Sequence, residues 1–312
     1  MAFACAAIVI ATSAALNKHS EPQHGHALAD KVPQVLKRHG PRLRHRPFRR
    51  DQNLTALARA DQTYLVACLF EEALIKKPES WKARFYDPLA SPFVRSDKCA
   101  SHSYSYAYAR YVVPLADRFA ADPAAGAKVL EIGLGCGQHN VGAGVRMWDM
   151  LFANTGGHAL TLHVLEYDKA CAKAWTARWA SRFKHVKLTM FTGSQSDPHT
   201  LRHVAREGGG QYDAIVDDGG HKISQQQASL SYLFQLLKPG AWYAVEDIQT
   251  SFMQGYIDQR PTMVETFGQI ISWLSGDPDN STAAQTYGHI LPLVEHVDCY
   301  TEMCVLQRYP PR

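Results

Sequence analysis

The sequence predicts an α/β fold: a doubly wound, mostly parallel sheet with a C-terminal antiparallel strand pair. Three observations carry that prediction. From about residue 103 onward, β-rich and helix-like runs alternate, and parallel neighbours need crossover helices between them. Several β-rich runs end in glycine- or acid-rich turns, where open α/β sheets take up ligands. The composition, 46% hydrophobic and 20% charged over 312 residues, can bury a large core and excludes a collagen-like, low-complexity or wholly disordered chain.

Taken in chain order, residues 55–75 carry apolar side chains at helical spacing and predict a helix. Residues 76–100, with Pro and Ser, predict a surface crossing, so a helical lead-in at 55–100 opens a domain covering 55–312. Strands are predicted at 128–132, 160–165, 186–191, 214–216 and 242–245, with helices at 169–183 and 225–237. Lys238-Pro239-Gly240 reads as a stop before the fifth strand. The runs at 293–297 and 303–307 predict two strands around a short turn. No internal repeat is visible.

Residues 1–54 are a separate arm. The first 50 hold nine Lys/Arg against two acids, +7, and the remainder 24 against 27, −3. The body is therefore slightly acidic, and no nucleic acid is expected as a partner of the folded domain. The arm begins with 16 uncharged apolar residues and continues into an Arg- and Pro-rich piece. Those features leave open a signal peptide, a short membrane anchor, an organelle transit segment or a disordered arm on a cytoplasmic protein. The seven cysteines form no CxxC and no zinc spacing. Reduced thiols are expected, because Cys136 lies within a glycine loop that has another use. A bridge between Cys299 and Cys304, which could face each other across a hairpin, is left open.

That glycine loop follows the first strand: Val129-Leu130-Glu131-Ile132-Gly133-Leu134-Gly135-Cys136-Gly137. Its spacing is GxGxG, with Gln138 where a dinucleotide fingerprint wants glycine, and an acid two residues ahead. This fits a nucleoside without a pyrophosphate, since a pyrophosphate needs a close, unblocked helix N-terminus. The second strand ends at Glu166, placed to accept two ribose hydroxyl hydrogen bonds. The third ends Gly193-Ser194-Gln195, offering amide and hydroxyl groups to an adenine edge. This series resembles the class I S-adenosylmethionine-dependent methyltransferases. The resemblance implies a Rossmann-like methyltransferase fold, with the glycine loop and Glu131 at the methionine end, Glu166 at the ribose and Gln195 at the adenine.

The fourth strand ends Asp217-Asp218-Gly219-Gly220-His221 and the fifth Glu246-Asp247-Ile248. As neighbours in a doubly wound sheet they would bring four carboxylates together. Like charges that close require a proton or a cation, and a divalent ion with oxygen ligands, Mg²⁺ or similar, meets the need. The alternative is that Asp217 caps a turn while Glu246 and Asp247 face solvent; otherwise Asp217 joins the cofactor-binding set. His221 has the residue type and position for a general base acting on a hydroxyl.

The combination DDGGH, a Lys-Pro-Gly turn and VEDIQTS resembles the metal-dependent macrolide-sugar O-methyltransferases and their uncharacterised bacterial and fungal relatives, over roughly residues 96–307. The resemblance implies Asp218, Glu246 and Asp247 as metal ligands and His221 as base. Lys98, His102 and Tyr104 would line the pocket, and an oligomer is allowed, as in that family. Serine is usual where Gly220 stands. The implied reaction is methyl transfer from S-adenosylmethionine to a hydroxyl of a sugar or glycosylated metabolite, a small-molecule acceptor; a phenol or an amine is the alternative acceptor. A nicotinamide-dependent oxidoreductase shares the fold but not the loop spacing, and a catalytically silent binding module would not need His221. Neither G-x-S-x-G nor a P-loop occurs, so hydrolase and nucleotidase readings lack their machinery. Tyr104, Tyr108 and Tyr111 share a helical face, read as core packing with substrate stacking as the alternative.

Overall fold

The computed structural model describes Lys98, His102 and residues 104–138, 140–153, 160–277 and 281–311. All belong to one compact unit, Asn53–Arg312. The expected N-terminal arm and helical lead-in, Lys98 apart, lie outside the described residues.

Seven strands form one sheet: β1 Lys128–Ile132, β2 Leu160–Glu166, β3 Val186–Thr192, β4 Tyr212–Asp217, β5 Leu237–Val245, β6 Val294–Tyr300 and β7 Met303–Arg308. Their order is β3-β2-β1-β4-β5-β7-β6. The first five pair in parallel, while β7 runs antiparallel to both β5 and β6. The order reverses between β1 and β4, the crevice where doubly wound sheets bind ligands. The helices are α1 Ser105–Ala121, α2 Ala143–Leu151, α3 Lys169–Trp179, α4 Pro198–Gly208, α5 Ile223–Leu233, α6 Met263–Leu274 and α7 Ser281–Tyr287. Among the described residues no helix is long and apolar enough to cross a membrane.

Local chemistry sets the helix starts. Asp168 accepts the Cys171 amide at the head of α3, and Asp197 accepts the His199 and Thr200 amides ahead of Pro198 in α4. Thr262 and Glu265 form a reciprocal capping box on α6. Strand alternation then divides the core. Val129, Ala214, Val216, Trp242 and Ala244 pack on the face covered by α1, α2 and α3, with Trp148 and Trp175. Leu130, Ile215, Tyr243 and Val245 pack on the other face with Leu230 and Phe234.

Two expectations need correction. Lys238-Pro239-Gly240 does not stop the chain before β5 but lies inside it. Leu237 already pairs with Tyr212, and the register shifts before Ala214 meets Trp242. Proline has no N–H for the ladder and Gly240 takes φ +78°, so the tripeptide makes a bulge. Secondly, Cys136 is not a free thiol. It is joined to Cys171 in the first turn of α3, which ties the glycine loop to that helix. Cys299 and Cys304, opposite each other in the β6–β7 ladder, are also joined.

Peptide mapping without reductant should recover both cross-linked pairs. On the chain-entropy view, opening a loop of this length costs about 3–4 kcal/mol. Calorimetry of Cys171→Ser should accordingly show Tm lowered by about 10 °C; an unchanged Tm would contradict a stabilising bridge.

Candidate active site

The carboxyl ends of β1, β2, β4 and β5 surround a cavity of about 740 Å³. Gly133, Gly135 and Gly137 line it, all with left-handed φ. Gly133 is obligatory, because a Cβ there would overlap the carbonyl oxygen of Asp218. Glu131 also lines the cavity. It accepts the Trp148 indole N–H at 2.9 Å, and α2 can approach it because Gly144 has no side chain to strike its carboxylate. Glu166 is held at both oxygens, by the Leu134 amide at 2.9 Å and the Asp168 amide at 2.8 Å. A carboxylate has about four acceptor positions, so two hydroxyl donors can still be received.

Gln195 lies beside this wall but is turned inward. Its amide nitrogen donates to Asp217 at 2.9 Å and its oxygen accepts the Gly220 amide at 2.8 Å. Its head group therefore braces the β4 loop, while the residue still lines the cavity. Asp217 departs further from expectation. It is fully buried and does not line the cavity. Alternation along β4 sends it to the same face as Ile215, where Ser229 and Tyr243 donate to it. It is a buried brace and leaves the cofactor-binding set.

Asp218, one residue on, points the other way and meets the expected partners. Its Oδ1 lies 3.9 Å from His221 Nε2, and Asp247 Oδ2 lies 3.4 Å from the same nitrogen. One ligand atom from each of Asp218, His221 and Asp247 falls within 4.8 Å of the other two. His221 and Asp247 both hold left-handed backbone, φ 57° and 56°, strain of the kind that collects at functional sites. Burial pushes the Asp247 carboxyl up, but the opposing pull of His221, Gln249, His102 and Tyr104 leaves its pKa below the ordinary value.

Glu246 adjoins this trio through Lys98. It is 1% exposed, and Lys98 Nζ reaches it at 2.5 Å while also reaching Asp218 Oδ2 at 2.5 Å. Burial works against the Lys98 charge, but the two carboxylates prevail and hold its pKa well above the ordinary value. Tyr108 donates to the other Glu246 oxygen, and Tyr104 donates to Asp247 Oδ1 at 3.0 Å. Tyr111 donates to Asp298 at 2.5 Å. The tyrosine stripe thus packs its rings in the core and spends its hydroxyls on carboxylates, which helical spacing alone could not disclose. Sequence reasoning also missed Ser229, Tyr243 and Glu302. The last accepts or shares a proton with His102 Nδ1 at 2.7 Å.

The residues fit both implied groups. Two buried polar atoms at the cavity, His221 Nδ1 and Gln249 Oε1, have no hydrogen-bond partner. The facing carboxylate oxygens of Asp218 and Asp247 are the donors that a hard divalent cation takes, and the His221 imidazole stands beside them.

The strand order is that of the class I methyltransferase fold. MycE methyltransferase from the mycinamycin pathway, solved with Mg, SAH and mycinamycin VI, shares that fold with a TM-score of 0.51, 21% identity, and coverage of 75% of this chain and 56% of that one. Sequence homologues are sugar O-methyltransferases. The chain is 32% identical over 186 residues to the 8-demethyl-8-alpha-L-rhamnosyl tetracenomycin-C 2'-O-methyltransferase of Streptomyces olivaceus, covering 57% of this chain and 43% of that one. It is 32% identical over 132 residues to the L-olivosyl-oleandolide 3-O-methyltransferase of Streptomyces antibioticus, covering 41% and 30% respectively. The chain thus spans less than half the length of these curated relatives. No family model matches the sequence.

Burial raises the Asp217 carboxyl to about 6 from 3.8, against the pull of Ser229, Gln195 and Tyr243. Since folding raises this acid's pKa, the native state binds the proton more tightly. Its contribution therefore falls as pH rises from about 4 to about 6, by roughly 3 kcal/mol, and is constant above. Asp217→Asn should gain on the wild type by roughly 2–3 kcal/mol between those pH values in urea unfolding; a pH-independent difference would refute the assignment.

Proposed function

We propose that this chain is an S-adenosylmethionine-dependent O-methyltransferase, assisted by a divalent cation, whose acceptor is a hydroxyl on a sugar or glycosylated metabolite. One observation carries the reading: the Glu131–Glu166 wall and the Asp218–His221–Asp247 trio open into a single cavity. A nucleoside binder alone would not need the trio. The sugar O-methyltransferases among the homologues favour a ring hydroxyl of a sugar over a phenol or an amine.

When bound, the cofactor supplies an electrophilic methyl on a sulfonium, and a cation such as Mg²⁺ makes the acceptor hydroxyl more acidic. The chain's own residues do the rest. Glu166 receives the ribose hydroxyls, and the glycine loop admits the methionine end against Glu131. Asp218 and Asp247 would hold the cation, with Glu246 behind them. His221 Nε2 takes the acceptor proton as the oxygen attacks. Much of the acceleration then lies in alignment, because the cavity holds acceptor and methyl donor together.

A labelled-methyl assay over glycosides, phenols and amines tests the reading, with product expected only from glycosides. EDTA should abolish turnover and Mg²⁺ or Mn²⁺ restore it; full activity in chelator would leave the acids a shaping role only. His221→Ala should retain SAH binding while turnover falls by about 10²–10⁴, the usual worth of a general base. Turnover equal to wild type would remove His221 from the mechanism.

A further inference from the structure

We propose that the Cys136–Cys171 bridge gates the cofactor. With the disulfide closed the chain holds S-adenosylmethionine and its demethylated product, and a dithiol reductant that opens the bridge weakens its hold on both. The inference rests on the S-adenosylmethionine reading above and adds a regulation that the reading does not require.

The bridge closes a ring of contacts around the acid that would receive the ribose. Glu166 takes the Leu134 amide on Oε2 at 2.9 Å and the Asp168 amide on Oε1 at 2.8 Å. Cys136 stands two residues beyond the first donor, in the glycine loop. Cys171 stands three residues beyond the second, and its own amide donates to Asp168 Oδ1 at 3.0 Å. The S–S bond thus joins the two chain segments whose amides hold Glu166.

Cys136 also sits between Gly135 and Gly137, φ 83° and 87°, and all three line the cavity. Glycine leaves a backbone unusually free, so a turn built on it needs an outside tie to keep one shape. The Gln138 amide closes the turn on the Gly135 carbonyl at 2.9 Å, a bond within the loop, and the disulfide fastens that turn to α3. Further on, the buried Trp175 indole donates to the Val141 carbonyl at 3.2 Å. Opening the bridge therefore leaves α3 anchored and loosens the turn.

Both cysteines are half-buried, and Cys136 borders the cavity, so the bond can be approached from there. One thiolate of the dithiol attacks a bridge sulfur and forms a mixed disulfide. The second then displaces the protein sulfur, and the reductant leaves as its own internal disulfide. Two electrons and two protons pass to the cysteines, which end as two thiols. A ligand must then order the freed turn as it binds, and that ordering weakens affinity. Linkage requires the converse, that a ligand preferring the closed form protects the bridge by the same factor.

Titration calorimetry of the full chain with SAH, oxidised and after dithiothreitol, tests this. Alkylation with peptide mapping reports the state of each bridge, and circular dichroism reports the fold. Opening Cys136–Cys171 should weaken SAH binding about tenfold. Cys171→Ser should bind that weakly with or without reductant, while Cys299→Ser, which lacks the other bridge, should respond as wild type does. Saturating SAH should raise about tenfold the dithiol-to-disulfide ratio that half-opens Cys136–Cys171 and leave that of Cys299–Cys304 in place. A bridge with no hold on the cofactor would keep its ratio. Should Cys171→Ser fail to fold, the oxidised and reduced wild type decide. SAH affinity within about twofold once the bridge is shown open overturns the inference. Loss of the fold on reduction overturns it too, since the link is then a structural staple. Oxidised wild type that binds no SAH overturns the cofactor reading and this inference together.

Discussion

Five carboxylates, those of Glu131, Glu166, Asp218, Glu246 and Asp247, gather at one end of a parallel sheet, and the architecture around them is a set of ways to hold that charge. Backbone amides grip Glu166, an indole N–H grips Glu131, a buried ammonium joins Asp218 to Glu246, and tyrosine hydroxyls reach Glu246 and Asp247. Isolated buried charges of this kind cost several kcal/mol each. The surroundings therefore have to be rigid donors, which is why so many aromatic residues border the acids with their polar ends turned inward.

The division of labour between neighbours follows from the pleat. Asp217 and Asp218 are adjacent in sequence, yet one ends among Ser229 and Tyr243 under the sheet and the other ends at the cavity. Val245 and Glu246 divide in the same way, the first into the α5-side core and the second toward Tyr108. A single residue of register decides whether an acid is chemistry or masonry.

This explains what could be read in advance. The β-rich runs, the glycine loop and the acids at the strand tips are local patterns, so the sheet, Glu131, Glu166 and Asp218 were legible. The hydrophobic runs of buried strands carry no parity, so nothing marked Asp217 as facing away. The grip of Lys98 on Asp218 and Glu246 spans 120 and 148 residues, and the Cys136–Cys171 link spans 35. Such partners depend on the folded topology and leave no trace in spacing. Gln195 was located at the right strand tip, but its amide could satisfy the protein or a ligand, and only the fold shows that Asp217 and Gly220 claim it.

His221 and Asp247 adopt a backbone conformation that glycine would take up without penalty. At His221, whose Nδ1 has no hydrogen bond to lose, thermostability and usefulness therefore pull in opposite directions. A campaign that ranked variants only by melting point would drift toward glycine there, and would hand back a sturdier protein with an emptied centre.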